Sequence, residues 1–93
     1  MEDIQRISIR ECSIHYNIDR DFIDSLHDCG LLEIVYDGDD SWLDVEQLAD
    51  FERYMRMHYD LDINLAGIEA IKHLLDRMER LENEILRMQN LLA

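Results

Sequence analysis

Residues 8–32 read SIRECSIHYNIDRDFIDSLHDCGLL, and this stretch decides the fold. Ser8 is followed three residues later by Glu11, the spacing of a capping box in which each side chain bonds the other residue's backbone N–H. The pair predicts a helix over residues 9–16. Asn17 tolerates the left-handed backbone conformation that ends many helices, so we expect the first helix to stop there.

A second helix is predicted directly after the first. Asp19 is a favourable N-cap residue, the helix should run over residues 20–29, and Gly30 suits the left-handed position beyond its end. Only a few residues separate the two helices, which forces them to cross closely. The segment therefore predicts a helix-turn-helix.

A β-hairpin is expected next. Residues 32–36 (LEIVY) are rich in β-branched and aromatic side chains, residues 37–40 (DGDD) contain an Asp-Gly turn, and residues 41–43 (SWL) supply a short second arm.

A third helix should then run from about 44 to 59. Its apolar positions recur at spacings of three and four, at Val45, Leu48, Phe51, Met55 and Tyr59.

The rest of the chain, residues 65–93, reads as one long helix after a brief connection. Its apolar residues recur at alternating intervals of three and four, the a/d pattern of a coiled coil, at Ile71, Leu74, Met78, Leu81, Ile85, Met88 and Leu92. This seam either packs back onto the same chain or is covered by a second copy. The other helices are too short to cover all of it, so we expect a homodimer. The chain then divides into an acidic winged helix-turn-helix domain, 1–62, and a coiled-coil dimerisation helix, 63–93.

Charge is the strongest signal in the composition. The chain has 22 acidic and 9 basic residues, a net charge of −13 at pH 7. Such a surface repels phosphate backbones and anionic membranes, because nucleic-acid affinity comes largely from Lys and Arg. The excess of acidic residues has two explanations: it only keeps the protein soluble, or it binds a basic protein partner.

Catalysis and cofactors have little support in the sequence. Cys12 with His15, and His27 with Cys29, are half-matches to zinc spacing, but a core cysteine and a half-buried histidine explain the first pair. No phosphate loop and no nucleophile motif is present. We therefore expect a non-enzymatic protein without metal or cofactor. No apolar stretch reaches the length of a membrane span and no signal-peptide features precede Arg10, so we expect a cytoplasmic protein.

Several short motifs together resemble the MerR-type winged helix-turn-helix. They are Ser8-Ile9-Arg10-Glu11, Ile18-Asp19, Gly30-Leu31-Leu32, the wing ending at Trp42, and Leu61 to Gly67-Ile68. The resemblance implies a mainly α fold with a small β-hairpin wing and a long C-terminal dimerisation helix. Within that superfamily, the tract from Trp42 through Leu61, Gly67-Ile68 and Leu74-Leu75 looks most like the CbpM-type chaperone modulators. These are small acidic proteins that bind the J-domain of a DnaJ-like co-chaperone called CbpA.

The sequence of the second helix distinguishes the CbpM-type modulators from the DNA-binding MerR relatives. DNA-binding MerR relatives carry an Arg-Tyr-Tyr-Glu-like run before Gly-Leu-Leu, and the Arg position corresponds here to Asp24. Asp21, Asp24 and Asp28 are spaced to share one helical face, which would repel phosphates. The wing tip, with Asp39 and Asp40, is equally acidic.

The resemblance implies that the chain binds a J-domain and blocks recruitment of Hsp70. J-domains engage Hsp70 through a basic helix, and an acidic protein complements that surface. The expected partner-binding residues are Asp21, Asp24, Asp28, Asp39 and Asp40. A MerR-family DNA-binding transcriptional regulator is the alternative, and an effector-binding sensor without DNA contacts is a third reading.

Overall fold

A computed structural model describes residues 5–93 of the chain. It is mainly helical, with one small sheet. The elements are β1 (Arg6–Ser8), α1 (Ile9–Tyr16), α2 (Arg20–Asp28), β2 (Ile34–Asp37), β3 (Asp40–Asp44), a 3₁₀ turn (Val45–Gln47), α3 (Leu48–Met55), a π-helical turn (Arg56–Asp60) and α4 (Leu65–Leu92). No helix among residues 5–93 is both long enough and apolar enough to cross a membrane.

The predicted helix-turn-helix is confirmed. At the start of α1 the Glu11 backbone N–H donates to Ser8 Oγ at 3.4 Å, and Asn17 ends the helix with a left-handed φ of 54°. Asp19 precedes α2 in extended conformation, but its side chain makes no capping bond. Beyond α2, Gly30 has a φ of +83°, a conformation that costs glycine little because it has no Cβ.

The wing is larger than the predicted hairpin. β2 and β3 pair antiparallel around the turn at Gly38, and the second arm spans five residues rather than three. β1, which was not predicted, pairs with the other side of β3 and completes a sheet of order β1-β3-β2. Because β3 is central, Leu43 lies between Ile7 and Ile34 in the register and is fully buried.

The third helix is not the uniform helix that was predicted. It starts as a 3₁₀ turn and ends as a π-helical turn, in which the Leu61 N–H donates to the Arg56 carbonyl at 3.1 Å. These tighter and wider turns shift the apolar stripe out of a regular 3.6-residue period. Val45 and Tyr59, expected to face inward, are therefore exposed, whereas Tyr54 and Met57 are buried.

One core joins all these elements and includes the first turns of α4. Its buried members are Ile9, Cys12, Phe22, Ile23, Leu26, Leu32, Ile34, Leu43, Phe51, Tyr54, Met57 and Ile68. Close packing at the start of α4 requires Gly67, because a Cβ there would lie 2.7 Å from Ile63 Cγ2. Ile71 and Leu75 pack against the core from the next turns of α4.

Most of α4 projects away from this core. Its 28 residues span about 42 Å at 1.5 Å per residue. The radius of gyration is 16.2 Å, compared with about 12 Å for a compact chain of this length. The protein is therefore a small domain with a helical arm.

Candidate interaction surfaces

The inner face of α2 is apolar and its outer face is acidic. Phe22, Ile23 and Leu26 are buried in the core. At 100° per residue, Asp21, Asp24 and Asp28 lie on the opposite side of the helix. Asp21 and Asp28 are exposed and Asp24 is half-buried. The structure thus presents the three predicted carboxylates outward on one helix face.

Arg20, the one cation on α2 besides its histidine, is held by neighbours within the same chain. Its Nε lies 3.5 Å from Asp24 Oδ1, and its Nη2 donates to Ser41 Oγ at 3.0 Å. Ser41 is buried on β3, so Arg20 ties the helix to the wing. The side chain that would best meet a phosphate is therefore occupied by a carboxylate and a hydroxyl.

The wing tip adds two exposed carboxylates beside this arginine. Asp39 and Asp40 line a shallow depression together with Arg10, Arg20 and Trp42. Arg20 also pairs with Asp24, so this arginine links Asp24 on α2 to the depression that Asp39 and Asp40 line. Asp28 lines neither this depression nor the groove described next.

Asp21 belongs to a different depression, the aromatic groove, which is lined by Asp19, Asp21, Phe22, Ser25, His58, Tyr59 and Leu65. Phe22 and His58 stack with ring centroids 4.4 Å apart and planes 14° apart. This groove could not be predicted from the sequence, because the π-helical turn is what brings His58 and Tyr59 beside α2. The adjacent aromatic pair before Asp60 was the one available signal.

The residues considered for metal binding are dispersed. Among residues 5–93, no group of three or more His, Cys, Asp or Glu side chains is placed to hold an ion. Cys12 is buried, and this burial, with a smaller contribution from Glu11, raises the pKa of its thiol. His15 is exposed rather than half-buried, which corrects that expectation: its ring packs edge-on against Tyr16 with centroids 4.8 Å apart.

A charged latch holds the base of α4 against α3. Lys72 Nζ lies 3.0 Å from Asp76 and 3.6 Å from Asp50, which is on α3. Burial alone would lower the pKa of Lys72, but the hydrogen bond to Asp76 and the charges around it raise the pKa overall. Beside this latch, the buried Tyr54 Oη has no hydrogen-bond partner within residues 5–93, and burial raises the pKa of Tyr54.

The heptad seam is exposed beyond the latch. Ile71 is half-buried against the core, but the next six seam residues are between 53% and 88% exposed: Leu74, Met78, Leu81, Ile85, Met88 and Leu92. Leu86 and Leu91 widen the apolar surface. A soluble monomer rarely exposes so large a continuous apolar patch.

Comparison with protein-family models identifies a family for this chain. A family model described as MerR HTH family regulatory protein matches residues 7–90. No curated protein matches the chain, and no solved structure does. The match covers the helix-turn-helix, the wing and nearly all of α4, so the chain belongs to the MerR HTH family of regulatory proteins.

Proposed function

We propose that this chain is a non-enzymatic chaperone modulator. It binds the J-domain of a DnaJ/CbpA-like co-chaperone and lowers that co-chaperone's stimulation of Hsp70. One observation carries the proposal: the outer face of α2 presents Asp21, Asp24 and Asp28. In helix-turn-helix DNA readers this second helix enters the major groove and supplies the contacts to the duplex.

The charge distribution favours a basic protein over DNA as the partner. Neutralising phosphate charge takes Lys or Arg, and Arg20 on α2 is already paired with Asp24 and Ser41. A basic helix of the kind that J-domains present would meet carboxylates on α2 and at the wing tip. Complementary potentials of this sort speed diffusional encounter and exclude partners of the wrong charge.

The proposal includes a homodimer formed through α4. The exposed seam from Leu74 to Leu92 keeps a regular a/d spacing, which suits a second copy of the same helix better than an irregular surface. In an antiparallel pairing, g positions face g positions, so Arg77 of one protomer would meet Glu84 of its partner. The two acidic domains would then lie at opposite ends of the paired helices.

Charge reversal tests the proposed J-domain contact. We expect the purified protein to bind the J-domain and to reduce J-domain-stimulated ATP hydrolysis by Hsp70. Changing Asp21, Asp24 and Asp28 together to Lys should weaken binding at least tenfold, because three attractive contacts become repulsive. Isothermal titration calorimetry gives the affinity, and a steady-state ATPase assay gives the inhibition.

A matched control separates local position from total charge. Reversing Glu33, Glu46 and Glu79, which are exposed elsewhere on the chain, changes the net charge by the same amount. This control should bind almost as well as wild type at physiological salt, where charges beyond about 8 Å are screened. Equal losses of affinity in the two triple variants would show that the contact does not lie on α2. Absence of J-domain binding by wild type would refute the proposal.

A DNA-binding transcriptional regulator is the second candidate. The observation that favours it is the family match, whose description is that of a regulatory helix-turn-helix protein. A helix-turn-helix with a wing can serve a DNA-binding regulator or a protein-binding modulator, so the fold is compatible with either function. The residues on α2 distinguish the two, and DNA binding by the purified protein would decide for the regulator.

A further inference from the structure

The aromatic groove combines rings and carboxylates in one exposed depression. Asp19 and Asp21 come from the start of α2, His58 and Tyr59 from the π-helical turn, and Leu65 from the start of α4. We propose that this groove receives an arginine side chain of the protein partner. The inference rests on the proposed function and adds an anchoring point to it.

The rings of the groove are positioned for a planar cation. Phe22 is buried beneath His58, which stacks on it, while Tyr59 is 47% exposed. Phe22 and His58 meet Tyr59 at interplanar angles of 73° and 81°, so neither ring lies flat against a face of Tyr59. A guanidinium within about 6 Å of an aromatic centroid is attracted by the electron-rich ring face.

The carboxylates of the groove are available to an incoming cation. Asp19 makes no capping bond, and the Ser25 hydroxyl donates to the backbone carbonyl of Asp21 rather than to its carboxylate. Within residues 5–93, neither carboxylate forms an ion pair, whereas Asp24 is paired with Arg20 on the adjacent side of the helix. Two unneutralised carboxylates beside an exposed ring make the groove selective for cations.

Arginine fits this arrangement better than lysine or an apolar side chain. A guanidinium is planar, stacks on aromatic rings and donates in a fork that matches carboxylate geometry, whereas an ammonium is a compact point charge. An apolar occupant would leave Asp19 and Asp21 beside it without partners, which costs free energy. Burying an aromatic-stacked arginine also gives the kind of anchor that dominates binding energy at interfaces.

The test removes the ring or one charge while keeping the shape of the groove. Tyr59→Leu should weaken J-domain binding roughly 5- to 30-fold, whereas Tyr59→Phe, which retains the ring face, should bind within about twofold of wild type. Asp19→Asn should lose about 3- to 10-fold in affinity, and it keeps a good N-cap residue before α2. Isothermal titration calorimetry with the purified J-domain measures each affinity, and thermal melts verify folding.

Two control variants lie outside the groove. Tyr36→Leu removes an exposed ring from the wing, and Asp62→Asn neutralises an exposed carboxylate in the connection before α4. Both should bind as wild type does. If wild type binds the J-domain but Tyr59→Leu and Asp19→Asn bind equally well, the arginine anchor is refuted and the proposed function stands. If wild type does not bind, the proposed function itself fails.

Discussion

At the scale of the residue, Tyr54 shows how the base of α4 is assembled. Its ring fills the centre of the core, while its hydroxyl lies close enough to Lys72, Asp50 and Asp76 for their charges to affect its pKa. The hydroxyl nevertheless makes no hydrogen bond within residues 5–93. A buried polar group without a partner costs free energy on folding.

Tyr54→Phe should therefore stabilise the protein. Removing the unpaired hydroxyl should raise the free energy of unfolding by about 1 kcal/mol, measured by urea denaturation at pH 7. The pKa of Tyr54 is raised in the folded chain, so above pH 10 the unfolded chain loses this proton first and wild-type stability falls. The variant should lose less stability over that alkaline range. Destabilisation by more than about 1 kcal/mol at pH 7 would show that the hydroxyl is satisfied.

Among the secondary-structure elements, the sequence predicted those helix ends that the backbone preference of a single residue determines. The bounds of α1 follow from the Ser8 cap and Asn17, and the end of α2 follows from Gly30, since each depends on one residue's backbone preference. β1 was missed because three residues carry too little pattern, and its pairing with β3 is a long-range contact. The carboxylate face of α2 could be predicted from spacing, whereas the aromatic groove depends on an irregular π-helical turn.

Leu81→Asp should abolish the proposed dimer. It places an unpaired charge in the middle of the apolar seam, a change that costs about 3–5 kcal/mol when the site is buried. Sedimentation equilibrium should find a dimer for wild type and a monomer for the variant. Asn83→Asp, two residues further on the outer face of α4, adds the same charge outside the seam and should stay dimeric. A wild-type chain that sediments as a monomer at tens of micromolar would contradict the dimer.

Across the whole molecule, a fold that DNA-binding regulators use carries a negatively charged surface, which repels DNA. The family match covers residues 7–90, so the architecture is that of a regulator. The net charge of −13 and the acidic α2 and wing tip set the long-range field that any partner meets first. The fold alone is compatible with DNA or protein as the partner, whereas the negative surface charge disfavours DNA.

Duplex DNA should not bind at moderate salt. Electrophoretic mobility shifts with fragments from the region upstream of its own gene should show no complex, because no array of free cations is present on α2 to release counterions. The variant with Lys at positions 21, 24 and 28 should gain weak binding that disappears as salt rises. A sequence-specific footprint by wild type at nanomolar concentration would instead establish the transcriptional regulator.

If α4 pairs in the proposed dimer, its exposed outer part would make the lifetime of the chain in a cell depend on the chain's own abundance. A helix that touches nothing else unravels at little cost, and frayed backbone is what proteases cleave. Pairing of the helices shields that backbone by mass action, since the stability of an oligomer rises with the concentration of its protomers. At low abundance most chains would be unpaired and open to proteolysis, and the protein would accumulate only at concentrations where the dimer forms. Under the proposed function, this turnover would set a protein concentration below which the J-domain stays uninhibited.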